Sequence, residues 1–99
     1  MTARQLRVND AALADLEDIV DYISRRNPEN ALRFVGRLRA TFETLASAPD
    51  IGRAREDVAA GLRGIPVDRY IILYRHDDIH LTIERVLSGY RELGHVEFQ

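Results

Sequence analysis

The sequence predicts an α+β domain in which two helices cover one face of a small, mainly antiparallel sheet, in the order βααβββ. Three observations carry this prediction. Residues 69–91 hold an unbroken apolar run, Ile71-Ile72-Leu73, followed by a polar turn at His76-Asp77-Asp78. Beyond the turn, Ile79, Leu81 and Ile83 alternate with His80, Thr82 and Glu84. The continuous run suits a central strand covered on both faces, and the period of two suits a strand with one buried face. Between Asn9 and Pro49 the apolar residues recur instead at helical spacing, in two blocks separated by Asn27-Pro28. Consecutive strands joined by short turns pair antiparallel, and a helical hairpin then closes one face as a second layer.

Each element follows in order. Arg4, Leu6 and Val8 alternate with Gln5 and Arg7, which predicts a short first strand. Asn9 or Asp10 caps the first helix, whose stripe is Leu13, Leu16, Val20 and Ile23, with Asp15, Glu17, Asp18 and Asp21 on its other sides. Asn27 caps the second helix, and Pro28 takes its first position at no cost, because the N–H it lacks has no helical partner there. Its stripe is Ala31, Val35, Leu38, Phe42 and Leu45. Two helices joined by two or three residues form an antiparallel hairpin. Pro49 and Gly52 end the second helix, and residues 50–60 read as a loop. Residues 61–67 read as a strand whose Pro66 calls for an edge or a strand end, since it cannot donate to a ladder. The face away from the helices is expected to carry Tyr, Arg and His side chains. Residues 90–99 are left open between an extended arm and a helical turn.

Composition narrows the function. Ninety-nine residues make one domain, 1–99, and a 45% hydrophobic share is ordinary for a folded chain. There is no cysteine, hence no disulfide framework and no thiolate metal site. No apolar run approaches the ~20 residues that span a bilayer, and MTARQLRVND lacks the apolar core of a secretory signal, so a cytoplasmic protein is expected. The net charge of −2 lacks the basic excess of a protein that grips nucleic acid, so direct nucleic-acid binding is not expected. Every basic residue is arginine, which forks onto carboxylates and phosphates but transfers protons poorly near neutral pH.

No catalytic set emerges. Ser24, Ser47 and Ser88 lack a nucleophile motif, and no phosphate-binding glycine loop is present. His76 and His80 bracket the turn and are placed to face each other, but they lack further ligands for a metal. Neither metal nor cofactor is expected. Arg75, Arg85 and Arg91 interleave with Tyr70, Tyr74 and Tyr90. That pattern suits a protein-binding surface, an RNA-binding surface, or tyrosines closing a core edge under arginine stems.

A family resemblance joins these pieces. The first helix offers Ala12, Leu16, Ile19 and Tyr22-Ile23. The second offers Ala31, Phe34, Leu38, Phe42 and Leu45. Then come Pro49-x-x-Gly52-Arg53, Gly61-Leu62-Arg63, Pro66-Val67, Tyr70, Tyr74-Arg75 and Ile83-x-Arg85-Val86-Leu87-x-Gly89. In this order and spacing the chain resembles the ParE branch of the RelE/ParE toxin superfamily, over nearly its whole length. The resemblance implies a growth-inhibiting toxin of a type II toxin–antitoxin pair, neutralised by a ParD-like antitoxin with which it forms a hetero-oligomer. ParE-type members target DNA gyrase, whereas RelE-type members cleave mRNA in the ribosomal A site. The RelE-type arginine of the middle strand falls here on Ile71. Of the basic residues on the strand before it only Arg63 fits, beside Gly64 and Ile65. Arg91 fits an arginine past the last strand, but Glu97-Phe98 stands where those enzymes have Tyr or His. The ribonuclease alternative would therefore rest on Arg63, Arg75 and Arg91, and a further alternative is a non-toxic binding module that persists as half of a stable toxin–antitoxin pair. ParE-like chains often carry His-Gly where this chain has Ser88-Gly89. By the gyrase reading, Arg75, Arg85, Tyr90 and Arg91 are the target-binding candidates. Tyr22, Leu32 and Phe34, at or off the margins of the helix stripes, are expected to form the antitoxin groove, as apolar side chains the core does not consume.

Overall fold

The computed structural model describes residues 3–89. The elements are β1 (Gln5–Val8), α1 (Asp10–Arg26), α2 (Pro28–Ser47), a 3-10 turn (Pro49–Ile51), β2 (Arg53–Ala54), β3 (Arg63–Val67), β4 (Tyr70–His76) and β5 (His80–Ser88). The strands form one sheet in the order β1-β5-β4-β3-β2, and only β1, beside β5, runs parallel to its neighbour. The α+β two-layer prediction holds, with β2 and the 3-10 turn added inside the expected loop.

The helices start and stop where their side chains dictate. The Asn9 side chain accepts from Ala12 N at 3.0 Å and opens α1. Asn27 alone joins the helices, a tighter link than the two or three residues expected. Its N–H donates to Ile23 O at 2.8 Å, closing α1. Its Oδ1 accepts from Glu29 N and Asn30 N at 3.1 and 3.2 Å, opening α2.

The hairpin packs against the sheet through Ala12, Phe34, Leu38, Phe42 and Leu45, which meet Ile72, Tyr74, Leu81, Ile83 and Val86. Full burial of a side chain such as Phe34 or Leu45 contributes roughly 1.5–3 kcal/mol. The inward stripe of α1 is Ala12, Leu16, Ile19 and Ile23, one position out of phase with the expected Leu13 and Val20, and Leu13 is 46% exposed. The Asn9 Nδ2 group donates to Glu84 Oε2 on β5 at 2.7 Å, which fixes the rotation of the helix about its axis. On α2, Phe34 takes the core position expected for Val35.

β4 is central, and both its faces are covered. Ile72 and Tyr74 face the helices, while Ile71 and Leu73 join Leu62 in a second cluster beneath Val58, Ala59 and Leu87. The far face is therefore partly roofed by the segment before β3. Tyr70 and Tyr74, expected there, point into the main core instead. The β3–β4 turn is Asp68-Arg69, with Asp68 at φ 56°, a left-handed conformation that Asp tolerates. Val67 and Tyr70 close this two-residue turn, so antiparallel alternation aims the ring nitrogen of Pro66 away from β4. It lies on the outer side where the two-residue β2 has ended, as an edge position requires.

The β4–β5 turn is an Asx turn, in which Asp77 Oδ1 accepts from Ile79 N at 2.8 Å and His80 N at 2.7 Å. Ile79 belongs to this turn and is 59% exposed rather than part of the buried face. A bulge on β5 sets Arg85 opposite Leu73 and Ile83 opposite Tyr74, leaving Glu84 as the extra residue. The inward residues thereby shift from Leu81 and Ile83 to Val86.

Candidate functional site

The arginines singled out in the sequence are engaged within the fold. At the bulge, Asp15 of α1 receives Arg85 in a fork, Nε to Oδ2 at 2.7 Å and the terminal nitrogen to Oδ1 at 2.8 Å. The same carboxylate accepts from Val86 N at 2.9 Å. β1 pairs only with residues 80–83 of β5, so Asp15 serves the strand edge where β1 stops. The Asp15 hydrogen bond raises the Arg85 guanidinium above its ordinary value, against the opposing effect of burial. Arg75 donates to Glu84 Oε1 at 3.2 Å and to Ala60 O at 3.1 Å, and Glu84 in turn holds Asn9. Arg63 donates to Gly52 O at 2.7 Å and lies 3.4 Å from an Asp50 carboxylate oxygen. These three guanidiniums tie segments of the fold together rather than converging on one point.

Tyr74 anchors the segment that Arg63 also holds. Its ring is fully buried, its hydroxyl donates to Pro49 O at 2.7 Å, and Gly52 N donates to that hydroxyl at 2.9 Å. Burial pushes the Tyr74 hydroxyl above its ordinary 10.0. A Cβ at Gly52 would fall on the hydroxyl and 2.7 Å from the ring carbon Cε1, so only glycine fits there. The two histidines do not face each other. His76 Nε2 lies 3.2 Å from Asp50 and His80 Nδ1 lies 3.7 Å from Asp77. Among the described residues no group of three His, Cys, Asp or Glu side chains is placed to hold a metal ion. None of the described helices is long and apolar enough to cross a membrane.

Of the three residues expected in a partner groove, Tyr22 is 53% and Leu32 75% exposed. Phe34 is only 2% exposed and stacks at a tilt on Tyr70, with ring centroids 5.1 Å apart, so the core does consume it. Tyr22 and the rim of Phe34 meet in one cleft of about 410 Å³ with Tyr70 and Arg37, at the end of the helical hairpin. The Arg26 guanidinium lies over the Tyr22 ring, 4.6 Å from its centroid. Leu32 lines neither that cleft nor a second, more apolar groove that the sequence reading missed. The second groove, about 380 Å³, runs between the helices beside β1 and is lined by Leu6, Leu16, Val20, Val35, Leu38 and Phe42. The signal for it was present in Val20 and Val35. Both carry helical spacing, yet each lies at the flank of its inward stripe, where two round helices leave a gap. Tyr90, Arg91 and Glu97-Phe98 lie outside the described residues.

Comparison with known proteins follows the same lines. The sequence pattern of the family described as ParE toxin of type II toxin–antitoxin system, parDE, matches residues 6–93. Toxin ParE3 of Caulobacter vibrioides is 34% identical over 60 residues, which cover 61% of this chain and 60% of that protein's length. The match thus spans less than two thirds of that relative. Among solved structures, the chromosomal ParDE system from P. aeruginosa superposes with a TM-score of 0.74 at 22% identity, covering 89% of this chain and 98% of the other. The RelBE2 toxin–antitoxin complex of Mycobacterium tuberculosis superposes with a TM-score of 0.63 at 24% identity, covering 88% and 99%. At these identities the two structures show a shared fold.

Proposed function

Because the chain belongs to the ParE toxin family of type II toxin–antitoxin systems, we propose that it inhibits DNA gyrase by protein binding and is neutralised by a cognate ParD-like antitoxin in the cytoplasm. The observation that carries this reading is the family match across residues 6–93. The engagement of Arg63, Arg75 and Arg85 in internal contacts supports action without phosphate chemistry of its own. Cleaving RNA needs a proton acceptor for the 2′-hydroxyl and a donor for the leaving oxygen, besides phosphate ligands. Among the described candidates, His80 lies beside Asp77, and Glu84 is bonded to both Asn9 and Arg75.

The antitoxin is proposed to lay an amphipathic segment on the helical hairpin, with Tyr22 and Leu32 as exposed apolar contacts and Phe34 beside Tyr22 in its cleft. Arg75, Arg85, Tyr90 and Arg91 stay as candidates for the target surface. For Arg85 this role requires release from Asp15.

The test is purified protein added to gyrase and supercoiled plasmid, read as linear DNA after detergent and protease. Linear product that disappears on adding antitoxin is expected. No product, from folded protein that binds its antitoxin, refutes the gyrase reading. A-site cuts on translated mRNA, mapped by primer extension, would then establish the ribonuclease alternative.

A further inference from the structure

The run Pro49-x-x-Gly52-Arg53 divides in the structure. Pro49 and Gly52 are accounted for by the Tyr74 hydroxyl, which binds both. Arg53 is not accounted for. Among the described residues no hydrogen bond or ion pair holds its guanidinium, although its charge adds to the Arg55 hydrogen bond that chiefly keeps the Asp57 carboxyl below its ordinary value. Arg53 pairs with Gly64 across β2 and β3, and its side chain lines a cleft of about 600 Å³ on the sheet face away from the helices. The cleft's other lining is Ala54, Arg55, Asp57, Gly64, Pro66 and Ile71. Arg55 is forked onto Asp57 at 3.0 and 2.9 Å, so these two charges offset each other. The cleft thus combines one guanidinium without a fork partner, a small apolar floor at Gly64, Pro66 and Ile71, and a strand edge that Pro66 closes to further backbone pairing.

We propose that this cleft is a contact site for the protein target, receiving a carboxylate side chain from an acidic, extended segment onto Arg53. The inference rests on the gyrase reading above and adds the surface through which the target is held. Charge decides the class of occupant. The whole chain carries −2, which disfavours a long polyanion such as nucleic acid, whereas a single carboxylate inside the cleft sees chiefly the Arg53 guanidinium. Floor and edge agree with this. The exposed Pro66 offers apolar contact to a peptide's aliphatic stems, and an edge lacking the Pro66 donor gives side-chain recognition in place of strand addition. The apolar groove between the helices lies on the opposite side of the sheet, so a segment folded onto it leaves this polar cleft to another partner.

The experiment measures affinity of the full chain for gyrase, with antitoxin affinity as the check on folding. Arg53→Glu is expected to weaken gyrase binding by about tenfold or more, since it sets like charges face to face. Arg53→Lys, which keeps the charge and loses the fork, should fall between Arg53→Glu and the native chain. Asp57→Asn is expected to strengthen gyrase binding, because it removes the carboxylate that competes with the incoming one. A purely structural Arg53 would not produce that gain. Native gyrase binding with all three variants unchanged overturns this inference and leaves the gyrase reading intact. No gyrase binding by the native chain overturns the gyrase reading and this inference with it. Arg53-dependent binding to a labelled DNA or RNA strand without gyrase overturns the protein occupant and assigns the cleft to a phosphate.

Discussion

Replacing Tyr74 by Phe isolates one hydroxyl whose loss strands two backbone groups. Tyr74 is fully buried, Pro49 and Gly52 are buried, and the hydroxyl is the partner of Pro49 O at 2.7 Å and Gly52 N at 2.9 Å. A buried group left without its hydrogen bond costs about 1–3 kcal/mol, so two such groups, with some relaxation of the 3-10 turn, cost roughly 2–4 kcal/mol. A domain of this size has a total stability of about 5–15 kcal/mol, and each kcal/mol lost lowers Tm by about 4–8 °C. Tyr74→Phe should therefore melt at least about 8 °C below the native chain. Hydrogen exchange at Gly52 N should accelerate more than at amides of β4. A drop under about 3 °C, with Gly52 still protected, would falsify the claim that this hydroxyl holds the segment. The companion variant Gly52→Ala should be at least as harmful. Tyr74→Phe should not rescue it, because the added methyl still meets ring carbons at 2.7 and 2.8 Å.

Further outcomes follow from the same contacts. Tyr74 titrates above its ordinary 10.0 in the folded state, so its contribution is complete below that pH and is lost as pH rises through the folded value. Alkaline unfolding should therefore begin with the Pro49–Gly52 segment, and Tyr74→Phe should lack this component. Asp77 titrates below its ordinary 3.8 because it accepts from His80 N and Ile79 N, so its contribution is present above that value and is lost on acidification through the folded value. Asp77→Asn should flatten the acid limb of a stability–pH curve, and an unchanged limb argues against the Asx turn. Asp15→Ala, which leaves the half-buried Arg85 and the Val86 N–H without their partner, should cost about 2–4 kcal/mol in urea denaturation. A loss below about 0.5 kcal/mol would mean that water replaces the carboxylate. Tyr22→Ala and Leu32→Ala should weaken antitoxin binding with little change in Tm, as both are exposed. If affinity is unchanged, the antitoxin contact moves to the groove around Leu6 and Val35.

Much of this architecture was legible because its signals are local. Asn9, Asn27 and Pro28 mark helix ends through their own side chains, and Ile71-Ile72-Leu73 marks a strand buried on both faces. The phase of α1 was not legible from periodicity alone. Ala12-Leu16-Ile19-Ile23 and Leu13-Leu16-Val20-Ile23 are both helical stripes, and the observed phase goes with long-range bonds to β5 from Asn9 and Asp15, 75 and 70 residues apart in sequence. The two-residue β2 carries no periodicity to read. The bulge at Glu84 was hidden because Asp15, on a different element, stabilises it. For the candidate site, exposure of Tyr22 and Leu32 followed from their place off the stripes, whereas the burial of Phe34 depends on the Tyr70 ring beneath it. Arg75 and Arg85 read as surface charges until their carboxylate partners are seen.

The parallel pairing of β1 with β5 also orders events in time. Gln5 aligns with His80, and the bonds from Asn9 and Asp15 to β5 close loops of 70 residues or more. By contrast, the β3–β4–β5 meander and the helical hairpin each close through short turns. Loop closure is slower and entropically costlier the longer the loop, so the meander and hairpin are expected to form first and β1 to dock on a sheet already assembled. On a ribosome the N-terminal strand has no mate until His80 to Ile83 have emerged. The last contacts to form are those of β1, Asn9 and Asp15 with β5, so perturbing them should mainly quicken unfolding and leave the folding rate nearly unchanged.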